Sequence, residues 1–433
     1  MSNQTSAGGI PTPREAMSFV LAAPASGSGK TTVTLGLLRA LTQRGIAVRG
    51  AKSGPDYIDP RFHEAACGHP CLNLDAWAMT PQRIQSLSTG SVPLMIEGAM
   101  GLFDGAPPDG KGACADLARI LDLPVILVID AGKMAGSVAP LAQGFIAHDP
   151  AVRIAGVMLN NVGSPRHETM LRRALRDVPV FGAIPRNAAL TQPSRHLGLV
   201  QAQERPDLAA YLDAAAALVA AHCDMDALQA MLHPPTAPIA NKATRPPPAQ
   251  RIAIAQDAAF AFSYPHLLQD WRDAGASLQF FSPLADEAAP DADLIYLPGG
   301  YPELHAGRLT ANTRFLGSLR TTTAQIYGEC GGYMTLGDAL IDADGTAHQM
   351  AGLLALETSF ATRKLHLGYR HLHAASGPFD GAWNGHEFHY ATTLKAEGAP
   401  LFKAADAEGT ALPAMGLIQN NVSGSFAHII DAA

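Results

Sequence analysis

Cysteine is scarce, with five residues in 433, at positions 67, 71, 114, 223 and 330. An odd and widely spread set argues against a disulfide framework and for the reducing cytoplasm. Cys67 and Cys71 lie near His63 and His69, but their spacing matches no standard zinc finger, so no metal is assigned there. Long apolar runs are missing too: none approaches the roughly 20 residues of a spanning helix. The opening residues MSNQTSAGGIPTPREAM have no basic start followed by an apolar core, so a frayed tail is expected rather than a signal peptide. There is no excess of positive charge, the net being -7, which excludes a nucleic-acid-binding surface. It leaves acidic small molecules open, because a local cluster of Lys and Arg can serve them.

What is present is a chain too long for one hydrophobic core, with 47% apolar residues, as globular domains have. Residues 233–250, HPPTAPIANKATRPPPAQ, are rich in Pro and Ala and lack periodicity, which predicts an extended linker. It divides a first part, 15–232, from a second, 251–433. In the first, MSFVLAA (17–23), IAVRGA (46–51), VPLMI (92–96), PVILVI (124–129), RIAGVML (153–159) and PVFGAI (179–184) read as strands buried on both faces of a parallel sheet. They alternate with helical patterns, so the fold class is α/β, doubly wound. In the second, RIAIA (251–255), SLQFF (277–281), DLIYL (293–297) and AQIYG (324–328) predict a smaller α/β domain.

The stretch APASGSGKTT follows the first strand and opens a helix. It departs from the strict G-x-x-x-x-G-K-[ST] motif, since Pro24 replaces the leading glycine. The cradle of Ser26, Gly27, Ser28 and Gly29 remains, with backbone N–H groups aimed at phosphate oxygens and a helix N-terminus behind them. Lys30 would reach the β- and γ-phosphates, and Thr31, beside Thr32, would ligate Mg²⁺. Two acidic loops follow at strand ends. KSGPDYIDP (52–60) carries Asp56 and Asp59, and IEGAMGLFDG (96–105) carries Glu97 and Asp104. A carboxylate opposite a phosphate loop commonly completes a Mg²⁺ shell. Asn160 in GVMLNNV is a candidate for reading adenine.

In the second part, GECGG (328–332) places Cys330 between a strand and a helical pattern, the thiol version of a nucleophile elbow. A helix N-terminus and a paired histidine would depress its pKa. The Gly-Gly turn of LPGGYPELHA (297–306), with Gly300, and the N–H of Gly331 could form an oxyanion hole. The candidate bases are His428 in GSFAHIID and His386 or His389 in GHEFHY.

These blocks together resemble the cobyrinic acid and hydrogenobyrinic acid a,c-diamide synthases over nearly the whole chain. The first half also resembles dethiobiotin synthetase, and the second resembles class I glutamine amidotransferases. The resemblance implies Cys330 as glutaminase nucleophile and His428 as its base. It implies an ATP site at the loop, and magnesium held by Thr31, Asp56 and Glu97. Asp56, Tyr57, Ile58, Asp59 and Asp104 would face the corrin carboxylates and the activated intermediate. It also implies ATP, L-glutamine and hydrogenobyrinic or cobyrinic acid as partners, without nucleic acid or membrane. Many class I glutaminases carry a Glu two residues after the histidine; here that position is Ile430. Asp431 or Glu387 are alternatives for orienting His428, or the pair works alone. Lys52, Arg61, Arg363, Lys364 and Arg370 are candidate cations for the remaining corrin carboxylates. Cobyric acid synthase and a ParA/MinD-like switch ATPase are the competing readings. The assembly state stays open, a homodimer being one option.

Overall fold

The computed structural model describes residues 18–190, 194–195, 198–232 and 246–433. The N-terminal tail and most of the predicted linker fall outside the described residues. The apolar runs of the first half form β1 (Ser18–Ala22), β2 (Arg49–Ser53), β4 (Leu94–Glu97), β5 (Val125–Asp130), β6 (Ile154–Val162) and β7 (Val180–Pro185), with a short β3 (Leu72–Leu74) at one edge. All pair in parallel, in the order β3-β2-β4-β1-β5-β6-β7. Such a sheet is covered on both faces, hence the uninterrupted burial of β1 and β4. Every strand delivers its following loop to the same rim. Helix α1 (Lys30–Gln43) starts directly after the loop that leaves β1 and buries Val33, Leu37, Leu38 and Leu41. Helix α2 (Asp59–Cys67) starts after the loop that leaves β2.

In the second half a six-stranded sheet runs in the order 277–281, 251–255, 294–297, 325–329, 422–425, 417–419, parallel except for its last pair. Beside it lies an antiparallel sheet of five strands that includes His366–Ala374, Gly381–His389 and Ala427–Ala432. The chain passes from one sheet to the other at Phe426, between the strands Val422–Ser425 and Ala427–Ala432. That crossing puts His428 at the junction, opposite His386 across the ladder.

The halves meet over aromatic and polar contacts. Trp77 stacks on Tyr369 with centroids 4.3 Å apart. Tyr369 Oη donates to Asp75 Oδ2 at 3.0 Å, and Asn384 Nδ2 donates to the Ala78 carbonyl at 2.9 Å. Arg83 bridges Asp270 and Asp431. Asp75 is fully buried at this seam, and burial lifts its pKa from 3.8 to about 6, although Tyr369 and the N–H groups of Ala78 and Trp77 pull it down. An acid with a raised native pKa binds its proton more tightly folded than unfolded. Its stabilisation therefore appears as pH falls through about 6 towards 4 and is absent near neutrality. Relative to Asp75→Asn, the wild type is expected to gain up to about 3 kcal/mol over that window. Melting temperatures of both proteins across pH check this, and a difference that does not vary with pH would refute it.

Candidate active site

The loop after β1 turns through Gly27 and Gly29, at φ 78° and 83°, and ends at Lys30. Gly29 is required twice over, because a Cβ there would also sit 2.1 Å from Asn160 Nδ2. Asn160 donates that amide to the Ser28 carbonyl at 3.0 Å, so it braces the loop from the end of β6. Thr32 Oγ1 lies 3.3 Å from Tyr211 Oη. Lys30 Nζ donates to the Met100 carbonyl at 2.5 Å. Burial first, and then the charge of Lys52, lower its pKa, although Glu97 opposes them.

Opposite the loop, parallel register places Lys52 beside Glu97. Lys52 Nζ lies 2.6 Å from Asp59 Oδ2, 2.8 Å from Glu97 Oε1 and 3.9 Å from Asp56 Oδ2. Lys52, a candidate cation for corrin carboxylates, is buried and paired with its own neighbours at the wall of the cleft. Arg61 is likewise paired with Glu64 at 2.9 Å, whereas Arg363 and Lys364 are exposed. Thr31 Oγ1 donates to Glu97 Oε1 at 2.7 Å and lies 3.4 Å from Asp59 Oδ2. His63 Nε2 contacts Glu97 Oε2 at 2.7 Å. Burial alone would raise the pKa of Glu97, but Lys52 and His63 outweigh it and hold the carboxylate ionised. Asp59 is pushed up by burial first, then by Asp56 and Glu97, with Lys52 offsetting part. The converging donors of Thr31, Glu97 and Asp59 are all oxygen, which suits a small hard cation such as Mg²⁺.

Asp56 Oδ1 accepts from the N–H groups of Ile58 and Asp59 at 2.7 and 3.1 Å, so it shapes the loop and opens α2. Asp104 is turned into its own loop, accepting from Gly101 N at 2.9 Å. Asp56, Tyr57, Ile58 and Asp59 line the central cleft and Asp104 does not.

Cys330 sits at the sharp turn from strand Gln325–Glu329 to helix Gly331–Leu336, at φ 48° and ψ -102°. That conformation is strained for any residue with a Cβ, and the surrounding sheet imposes it to present the thiol. His428 approaches from the crossing strand. A Cβ at Gly299 would lie 2.3 Å from His428 Cε1 and 3.2 Å from Cys330 Cβ, so only glycine lets the backbone pass between these two residues. Gly300 N lies 3.0 Å from the position of a Cβ on Gly331, which brings the two predicted oxyanion donors side by side.

The thiol pKa is raised, not depressed as the elbow motif suggested. Burial is the main cause, then the nearby Glu303, and the Gly331 N–H offsets only part. That shift favours the protonated thiol. The carboxylate that faces the base is Glu329, whose Oε2 is 3.5 Å from His428 Nδ1. Tyr296 Oη donates to the same oxygen at 2.7 Å, and Ile429 N donates to Oε1 at 3.0 Å. The two alternatives are engaged elsewhere: Asp431 with Arg83 at 2.9 Å, and Glu387 with Arg370 at 2.7 Å and His389 at 2.9 Å.

The phosphate-loop site opens on a cleft of about 1350 Å³ between the domains, whereas Cys330 and His428 lie behind its wall. Its walls include Lys30, Thr31 and Asp59 on one side and Arg370, His386 and Phe388 on the other.

Comparison with known proteins fits this two-site plan. Residues 251–433 match the CobB/CobQ-like glutamine amidotransferase domain. Residues 19–200 match the CobQ/CobB/MinD/ParA nucleotide binding domain. The hydrogenobyrinate a,c-diamide synthase of Brucella abortus is 56% identical over 428 residues, covering 95% of this chain and 98% of its own. Those of a Sinorhizobium species and of Rhodobacter capsulatus are 53% and 52% identical, over 96% and 95% of this chain and 99% and 98% of their own. The chain belongs to the hydrogenobyrinate a,c-diamide synthase family. It is therefore an enzyme with an amidotransferase half, and the switch-ATPase reading falls. No helix among the described residues is long and apolar enough to cross a membrane.

Three residues at these sites carry no signal in the sequence. Glu329 directly precedes Cys330, whereas the class I pattern points to a residue after the histidine. His63, which lies near two cysteines in the sequence, holds Glu97. Phe262 flanks Tyr57 with ring centroids 5.2 Å apart, and no motif marks it.

Proposed function

We propose that this family member amidates the c and a carboxylates of hydrogenobyrinic acid, using ATP and glutamine. The observation that carries this is one cleft bordered by a phosphate loop and by the domain bearing a Cys–His pair. The relatives' names favour the cobalt-free corrin over cobyrinic acid, and the diamide reaction over that of cobyric acid synthase.

Ser26 to Lys30 would cradle the triphosphate, and Lys30 would exchange its carbonyl partners for phosphate oxygen. Thr31, Glu97 and Asp59, with Asp56 nearby, would hold Mg²⁺, which when bound neutralises charge on the β- and γ-phosphates. A corrin carboxylate oxygen attacks the γ-phosphorus, ADP leaves, and an acyl phosphate results. Ammonia then displaces inorganic phosphate and the amide forms.

The nitrogen comes from the other half-site. Cys330 Sγ attacks the carboxamide carbon of glutamine while His428 takes the thiol proton. His428 returns that proton to the leaving nitrogen, so ammonia and a thioester are formed. Water, deprotonated by the same histidine, releases glutamate. Glu329 stabilises the imidazolium in between. The N–H groups of Gly300 and Gly331 would receive the developing oxyanion.

Mass spectrometry of corrin products tests the reading, with enzyme, ATP, Mg²⁺ and glutamine offered hydrogenobyrinic and cobyrinic acids in parallel. Two amidations of the cobalt-free acid are expected. No amidation of either acid would overturn the assignment.

A further inference from the structure

Cys330 and His428 are almost wholly buried, and neither lines the large cleft. Two side chains that line that cleft also neighbour His428: His386, opposite it across the ladder, and Tyr57. The Tyr57 ring borders the cleft and also packs on His428, with centroids 4.4 Å apart. Tyr57 belongs to the nucleotide-binding half, whereas His428 belongs to the amidotransferase half. Phe262 stacks on Tyr57 at 5.2 Å and Tyr264 packs at 5.0 Å, completing an aromatic collar from the amidotransferase side.

The loop carrying Tyr57 is tied to both domains. Asn73 Nδ2 donates to the carbonyls of Gly54 and Asp56 at 2.9 and 2.7 Å. Tyr264 Oη donates to the Pro55 carbonyl at 3.2 Å. Two residues after Tyr57, Asp59 sits on Lys52 and Thr31 beside the phosphate loop. A ligand that engages Asp59 therefore pulls on the segment that holds the ring over His428.

Resting on the function proposed above, we infer that the Tyr57 ring is the gate between the two half-reactions. Closed, it packs the His428 ring into place and shields the thiol site from the cleft. When the 55–59 loop shifts, it opens the route by which ammonia leaves Cys330 for the acyl phosphate. An apolar aromatic wall suits this task, because it excludes the water that would protonate ammonia in transit. Tyr57 is thus a positioning residue for the glutaminase base, in addition to facing the corrin.

An isotope experiment separates the gate from a corrin contact. The enzyme receives hydrogenobyrinic acid, ATP, Mg²⁺, unlabelled glutamine and excess isotope-labelled ammonium, and the label in the amide is read by mass spectrometry. Wild type is expected to draw its nitrogen mainly from glutamine. Tyr57→Ala should raise the labelled fraction severalfold and the glutamate formed per amide with it, while Tyr57→Phe keeps the wild-type values. A corrin contact alone would slow amidation from both sources and leave their ratio unchanged, and that result overturns the gate. Should Tyr57→Ala make no amide, Phe262→Ala decides, since it removes the stacking partner and leaves the 55–59 loop intact: wild-type labelling there also overturns the gate. If wild type itself makes no amide from glutamine, the proposed function fails, and with it the basis for a gate.

Discussion

Cys330→Ala is expected to lose glutamine-dependent amidation by at least about 10³-fold while amidating with ammonia near the wild-type rate. In the proposed reaction this thiol forms the thioester, and the side-chain contacts described at the phosphate loop do not include it. Alanine keeps the strained backbone at φ 48°, because it has the same Cβ, and removes one buried sulfur. The elbow should therefore stand. Since burial and Glu303 favour the protonated thiol, the proposed attack needs a base, the role proposed for His428. His428→Ala should accordingly share the phenotype. Rates with each nitrogen donor, measured side by side, are the check. Equal loss with ammonia would mean that Cys330 supports the fold or the corrin site rather than the nitrogen supply.

Lys30→Met should show the opposite pattern: amidation falls about 10²–10³-fold with both donors, and glutamine hydrolysis without ATP persists. The methionine stem fills the same space but brings no charge to the phosphates. Its neutral end also leaves the Met100 carbonyl without the donor it has at 2.5 Å, a modest cost beside the lost electrostatic stabilisation. Steady-state amidation and glutamate release separate the two outcomes. Retained amidation with ammonia would place the nucleotide elsewhere.

The first sheet was legible because a strand buried on both faces is a continuous apolar run, and PVILVI or VPLMI admits few other readings. Only β3, three residues long at the sheet edge, gave no such signal. The antiparallel sheet of the second half was not legible. Its strands HLGYRHLHA and GAWNGHEFH carry His, Gly and Arg at positions that face partners rather than a core. Period-two alternation is hidden when the inward residues are themselves polar.

The sequence by itself determined the two α/β halves and the family, and it marked the loop at Lys30 and the turn at Cys330 as the places to look. Each is written in local spacing, because a loop that cradles phosphate or an elbow that lifts a thiol needs its glycines within a few residues. Tertiary structure alone decided that Lys52 is paired with Asp59 and Glu97 at the cleft wall, since these partners arrive from different segments of the chain. It decided that Glu329 faces the base, because the crossing at Phe426 brings His428 back onto the strand that ends at the nucleophile. It also decided that Tyr57 stands against His428. That contact joins two domains whose packing no local pattern encodes, and the ring that makes it looks in the sequence like any other loop tyrosine.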